Sequence, residues 1–222
     1  MKLGLLALPA VGGALALAGL LFASAAPEPD LKYHVVAPAL SRADVVPTPT
    51  LPPRPVPYNG PVASLYLASA HISAQWPVAV RDTVVVGGRE TFENPAHPDE
   101  IAWYARFGQP GFAANNSIFA AHINYVNYGN GPFAYLTSAA IDDALYVTMD
   151  NGTSYAYTVK TVEVVSLAEL EAGAMDRYVF PVLDSYTERI TLISCGGDFV
   201  PRAGGGGDYT SRVILVAERY VN

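Results

Sequence analysis

Ile190-Thr191-Leu192-Ile193-Ser194-Cys195-Gly196-Gly197 carries the only cysteine of the chain, and the rest of the sequence is read outward from it. Branched and apolar residues run up to the thiol, and two glycines then break the run, as in a strand that stops at a turn. A thiol at a strand end is held rigidly, and the glycines after it bring no side chains to cover the sulfur. A single cysteine is by itself more often a small buried hydrophobe than a nucleophile. Its company argues for chemistry: a compact apolar run from Ser117 carries His122 upstream, and Arg212 opens the last apolar run downstream.

The flanking sequence is mostly short β segments with turn punctuation. Val62 to Ala68 alternates, and Val84-Val85-Val86 ends at Gly87-Gly88. Leu145 to Met149 and Ser154 to Val165 flank Asp150-Asn151-Gly152-Thr153, and Asn-Gly is a strong hairpin signal. In that hairpin Tyr155, Tyr157, Val159, Thr161 and Val165 fall on one period-2 face, with Val162 and Val164 on the other. Ile190 to Ser194 and Arg212 to Val221 complete the strands, and short helical turns are expected at Phe133 to Ser138 and Leu167 to Glu171. Strands at this spacing suggest a closed or nearly closed barrel. The Gly204 to Gly207 run lacks the Lys and Ser/Thr of a phosphate loop, and reads as a lid or connection between the last two strands.

The front of the chain differs. Met1-Lys2 precedes an almost uncharged run from Leu3 to Phe22, about 20 residues and long enough to span a bilayer. Ala23-Ser24-Ala25-Ala26 follows with the small-x-small pattern of a signal-peptidase site. Residues 1–26 therefore read as a signal peptide or a membrane anchor; the length of the run favours the anchor, and either places the remainder outside the cytoplasm. Nine prolines between Pro27 and Pro57 make residues 27–57 an extended, semi-rigid linker. Residues 58–222 remain as one domain, large enough for a single core.

The chain carries 13 basic and 20 acidic residues, and with Lys2 set aside the rest has a formal charge of −8. An acidic domain without Lys/Arg clusters is a poor partner for nucleic acid. No His/Asp/Glu group has convincing metal-ligand spacing, and no cofactor motif is present, so no metal and no cofactor are expected. One cysteine cannot form an intramolecular bridge. A free thiol kept outside the cytoplasm is a liability unless it is buried or used.

Together these segments resemble the sortase family of cysteine transpeptidases, over most of Pro61 to Tyr220. Ile190 to Cys195 resembles the family's Thr-Leu-x-Thr-Cys strand, which carries the nucleophile. Ser117-Ile118-Phe119-Ala120-Ala121-His122-Ile123-Asn124 is similar to the strand ending in Gly-His-x-Asp that presents the histidine. Ser211-Arg212-Val213-Ile214-Leu215-Val216-Ala217 is similar to the final strand, which opens on the arginine. Trp103-Tyr104 with Pro110-Gly111, the Gly131 to Leu136 segment and the Asp142-Asp143 turn also match. Cys195-Gly196-Gly197 followed by Phe199 resembles the class F subgroup. Ala121, Asn124 and Ser194 stand where the family has Gly, Asp and Thr; Ser194 keeps a hydroxyl and Asn124 an acceptor, while Ala121 adds a methyl beside the site.

The resemblance implies an all-β fold: a sortase-type closed barrel of about eight strands with short helices, preceded by an N-terminal apolar helix and the proline-rich linker. It implies catalytic roles for His122, Cys195 and Arg212, meeting in one groove at the barrel rim. Cys195 would attack a peptide carbonyl as thiolate, although an ordinary thiol, with pKa about 8.5, is only a few per cent ionised near pH 7. His122 would protonate the leaving amine and deprotonate the incoming one. Arg212, always cationic, would steady the oxyanion or the substrate backbone. The implied reaction cleaves a Leu-Pro-x-Thr-Gly type sorting signal on a surface protein and passes the acyl group to an amine, on a peptidoglycan precursor or a pilin lysine.

Each residue has a plainer reading. Alone, His122 fits a satisfied barrel histidine and Arg212 a surface ion-pair partner; His34, His71 and His97 sit in no motif. The order His, Cys, Arg, each with matching flanks, separates the readings. Two rivals remain: another exported cysteine hydrolase, and a non-catalytic sortase-like peptide-binding module. Cell-wall endopeptidases usually place Cys before His, and L,D-transpeptidases carry an arginine almost next to the thiol, whereas Arg212 lies well downstream of Cys195.

Overall fold

The computed structural model describes residues 56–203 and 206–221, all within one unit that spans 52–222. The apolar segment 1–26 and nearly all of the proline-rich segment 27–57 lie outside the described residues. Among the described residues no helix is long and apolar enough to cross a membrane.

Among the described residues twelve strands form: β1 (Val62–Tyr66), β2 (Val78–Val80), β3 (Thr83–Val86), β4 (Arg89–Phe92), β5 (Ile101–Trp103), β6 (Asn116–Ala121), β7 (Asn124–Tyr125), β8 (Gly129–Asn130), β9 (Ala144–Met149), β10 (Ser154–Ser166), β11 (Thr187–Pro201) and β12 (Gly207–Tyr220). Eight of them make one sheet in the order β1-β9-β10-β12-β11-β6-β5-β2. Its two edge strands, β1 and β2, approach each other, so the sheet curls into a nearly closed barrel. β3–β4 and β7–β8 are separate two-stranded hairpins. β6 pairs with β11, and β2 with β5, in parallel; the other pairings are antiparallel.

The continuous apolar character of the central strands follows from burial on both faces. Leu65, Phe119, Val147, Tyr157, Leu192 and Leu215 fill the barrel interior. Their neighbours in sequence Ile118, Ile214 and Val216 face a second cluster, completed by Ala174, Tyr178 and Val179. That outer layer comes from the connection between β10 and β11: α1 (Leu167–Glu169), a π turn (Leu170–Ala174) and α2 (Met175–Tyr178). Ser166 caps its start reciprocally with Glu169, each side chain accepting from the other's backbone N–H. A 3-10 turn forms at Leu136–Ser138, inside the expected Phe133 to Ser138 stretch.

Two strand expectations need correction. The period-2 face assigned to β10 does not run its whole length. The register against β12 shifts between Val159 and Thr161, and this bulge exchanges the faces beyond it. Tyr157 and Val159 belong to the interior, where Val162 joins them, while Val165 is buried in the outer cluster. The glycines after Cys195 do not end their strand either: β11 continues to Pro201, and β12 begins at Gly207. The thiol therefore sits within a long hairpin, beside a bulge where the register shifts between Gly196 and Phe199.

Candidate active site

His122, Cys195 and Arg212 line one pocket of about 160 Å³, together with Thr91, Phe92, Asn94, Pro95, Tyr104 and Ser194. Register explains why residues so far apart in sequence meet. Ile193 pairs with Ala120 across the parallel β6–β11 ladder, so two positions further on His122 stands beside Cys195. On the other side, Cys195 is the direct partner of Arg212. Alternation then puts all three on one face. Ile118, Ala120 and His122 share a parity, as do Ile193 with Cys195 and Arg212 with Ile214, and this is the face of the outer cluster. The site thus lies on the barrel's outer wall where β6 ends, while buried Ser194 takes the opposite parity. Cys195 is half-buried and lines the pocket.

Local contacts fix each side chain. Gly197 has φ of 73°, a conformation that favours glycine, and a Cβ there would lie 2.6 Å from Thr210 Oγ1 and 2.7 Å from Ser211 Oγ. Thr210 Oγ1 instead accepts from the Asp198 N–H at 3.0 Å, closing the bulge behind the thiol. A Cβ at Gly196 would lie 2.8 Å from Val213 Cγ2, so the chain passes close to β12 here. Below the site, Thr191 Oγ1 donates within reach of Asn116 Oδ1 (3.0 Å) and the Tyr178 carbonyl (2.9 Å). Asn116 Nδ2 donates to the Val179 carbonyl at 2.7 Å. These bonds tie β6, β11 and the end of the helical connection together.

The His122 carbonyl accepts from the Phe133 N–H at 3.2 Å, and its ring meets Tyr125 edge-on at 5.3 Å. The Asn124 side-chain amide donates to the Tyr209 hydroxyl at 2.8 Å. Arg212 Nη1 donates to the carbonyls of Ser211 (2.8 Å) and Tyr209 (3.3 Å), and among the described residues it has no carboxylate partner. Its charge is therefore not neutralised by an ion pair and remains available to an oxyanion in the pocket. Tyr104 backs the site with its hydroxyl donating to the Glu93 carbonyl at 2.6 Å, and burial pushes its pKa far above the ordinary tyrosine range.

Thr91, Phe92, Asn94 and Pro95 were not among the residues the sequence singled out. They arrive from the β3–β4 hairpin and the chain after it, whose second strand carries no apolar alternation that would announce it. A larger cavity of about 590 Å³, lined by Tyr58, Gly111, Tyr155 and Arg219, holds none of the three. Arg219 lies seven positions along β12 from Arg212, about 23 Å away at roughly 3.3 Å per residue. The His71 ring packs tilted against Tyr135 at 4.9 Å and His97 uses its carbonyl to accept from the Glu100 N–H; neither lines the pocket.

The family model described as Sortase domain matches residues 73–220, two thirds of the chain and all of the strands that build the pocket. The chain belongs to the sortase family. Sortases as a family are cysteine transpeptidases. Among solved structures the sortase is similar to sortase A from Corynebacterium diphtheriae, at 20% identity and a TM-score of 0.47, covering 74% of this chain and 62% of that one. It is also similar to the SrtA sortase from Actinomyces oris (19%, TM-score 0.49, 75% and 84% covered). Sortase C-1 from Actinomyces oris gives 17%, a TM-score of 0.45, and coverage of 71% and 72%. No curated protein matches the sequence.

Proposed function

We propose that this sortase is held outside the cytoplasm by residues 1–26, with 27–57 as its spacer and 58–222 as its catalytic domain. There it cleaves a Leu-Pro-x-Thr-Gly type sorting signal, forms a thioester on Cys195, and passes the acyl group to an amine. The observation that carries the reading is the meeting of His122, Cys195 and Arg212 in one open pocket. Cys195 forms the bond to the peptide carbonyl carbon. His122 gives a proton to the departing amine, and Arg212 supplies charge-assisted donors to the oxygen that becomes negative. The apolar and proline-containing rim, Phe92 and Pro95 included, suits an extended peptide with apolar side chains. The Cys195-Gly196-Gly197 run keeps the class F likeness within this proposal.

Intact-mass measurement after incubation with a Leu-Pro-x-Thr-Gly peptide tests it. An acyl adduct on Cys195, absent in Cys195→Ala, is the expected result. No adduct and no cleavage with any such peptide, from a protein that folds, would overturn the reading and leave the peptide-binding module in its place.

A further inference from the structure

The cavity of about 590 Å³ beside Arg219 has the size of a small-molecule site, and bonds that play no part in the peptide chemistry hold its walls. Arg219 donates from Nε to the fully buried Glu188 carboxylate and from Nη2 to the Gly111 carbonyl at 3.1 Å. Glu188 also accepts from the Gly111 N–H at 2.5 Å and from the Tyr157 hydroxyl. The Arg219 guanidinium lies over the Tyr155 ring at 4.7 Å, and the Tyr155 hydroxyl accepts from the Tyr58 N–H at 3.2 Å. Tyr58, Tyr155 and Arg219 thus form a fixed wall, and Asn59, Asn151 and Thr153 complete the cavity with amide and hydroxyl groups. Asn151 Oδ1 accepts from the Thr153 N–H at 2.9 Å, which sets the side chain while its amide nitrogen keeps its two donors.

We infer that this cavity binds an uncharged sugar chain built of pyranose rings, at a site separate from the peptide pocket. A pyranose has an apolar C–H face that packs on an aromatic ring, and an edge of hydroxyls that both donate and accept. Tyr58 and Tyr155 supply rings for the face, and Asn59, Asn151 and Thr153 supply partners for the edge. The electrostatics favour a neutral ligand. The charge of Arg219 is already met by Glu188, and Asp150 hydrogen-bonds the Tyr58 side chain and raises its pKa, so an anion meets a carboxylate at the rim. No acid lines the cavity to hold a cation. The same chemistry continues on the barrel wall. Thr153 leads into Ser154, which stands in one row with Thr148 and Ser64 across β10, β9 and β1. The next row holds Tyr66 and Tyr146, 46% and 41% exposed, with ring centroids 6.3 Å apart. Neither row contains an acid or a base, so a chain longer than the cavity can run on over hydroxyls and rings. The site is seven positions along β12 from Arg212, and a sugar held there leaves the peptide pocket open.

Calorimetric titration of the full-length protein in phospholipid nanodiscs tests this, with chitotetraose as the uncharged chain and tetragalacturonate as the anionic one. Saturable binding of chitotetraose and none of tetragalacturonate is the expected result. Asn59→Ala, Tyr146→Ala and Asn151→Asp, which keeps the turn acceptor, should each weaken binding about threefold to tenfold, roughly the worth of one hydrogen bond. Cleavage of a soluble sorting peptide should stay unchanged in all three variants, which makes this site separable from the peptide chemistry. Four results would overturn the assignment: no binding of chitotetraose, equal or tighter binding of tetragalacturonate, wild-type affinity in all three variants, or displacement of the sugar by a sorting peptide.

Discussion

Cys195 and Arg212 are direct partners across the antiparallel β11–β12 ladder, so their side chains leave the same face of the sheet. The thiol and the guanidinium are thus set by backbone pairing and need no flexible loop to meet. Cys195 also has His122 on its other flank through the parallel pairing of β6. Cys195 thus lies on the middle one of three adjacent strands.

Arg212→Ala is expected to lower kcat/KM on a sorting peptide by a factor of about 10²–10³, the usual loss for one oxyanion donor. Arg212→Lys should recover little of this, since an ammonium cannot reproduce two parallel N–H donors. Thermal unfolding should barely move, because the side chain bonds only to backbone carbonyls. A kcat/KM within threefold of wild type would remove Arg212 from the chemistry.

Gly197→Ala should disturb both fold and site. It combines a left-handed backbone with a Cβ placed against Thr210 and Ser211, at a cost of about 1–3 kcal/mol. Gly152→Ala, at φ of 85° in the β9–β10 turn with open space around it, should cost about 1 kcal/mol and leave turnover alone. Denaturant unfolding and peptide cleavage on the two variants check the contrast; equal effects on cleavage would contradict it.

Glu100 is buried and accepts from Nε and Nη2 of Arg81 at 2.7 Å each, with the Ala96 N–H as a further donor. The Arg81 bonds hold its carboxyl below the ordinary range despite burial. A carboxyl depressed in the folded state stabilises above its unfolded value of about 4.3, and that contribution fades as pH falls through the lower folded value. Stability should therefore drop on acidification below about pH 4.3, and Glu100→Gln should flatten that part of the profile. At neutral pH the variant should lose about 2 kcal/mol, below the 3–5 typical of a fully buried pair, because Arg81 stays partly in water. Urea unfolding at several pH values measures both.

Leu192→Ala removes a fully buried interior side chain from the strand that carries the thiol. The expected cost is about 2–5 kcal/mol with the cavity left behind. Calorimetry should show it as a lowered Tm, and residual activity at low temperature should remain, since Leu192 faces away from the pocket.

Much of this was legible from residues alone. The apolar octet, the Asn-Gly hairpin and the run before His122 each became a strand, because burial on both faces demands such sequences. The placement of His122, Cys195 and Arg212 in one pocket also followed the expected order. What escaped reading lies where local pattern is silent. The bulge near Lys160 changes the parity of β10 through pairing with β12, which no property of β10 alone announces. Gly196 and Gly197 read as a stop, yet the ladder resumes at Phe199 because Tyr209 offers a partner. Thr91 to Pro95 reach the pocket through tertiary packing of a hairpin with exposed valines, and no motif marks them.

The parallel pairing of β6 with β11 carries one more implication. These strands are separated in the chain by everything from β7 to β10, so their union closes a very long loop, a slow event in folding. Until it occurs, Cys195 has no imidazole beside it. Catalytic competence should therefore emerge late and all at once during refolding, after the β9–β10 hairpin and other local structure have formed.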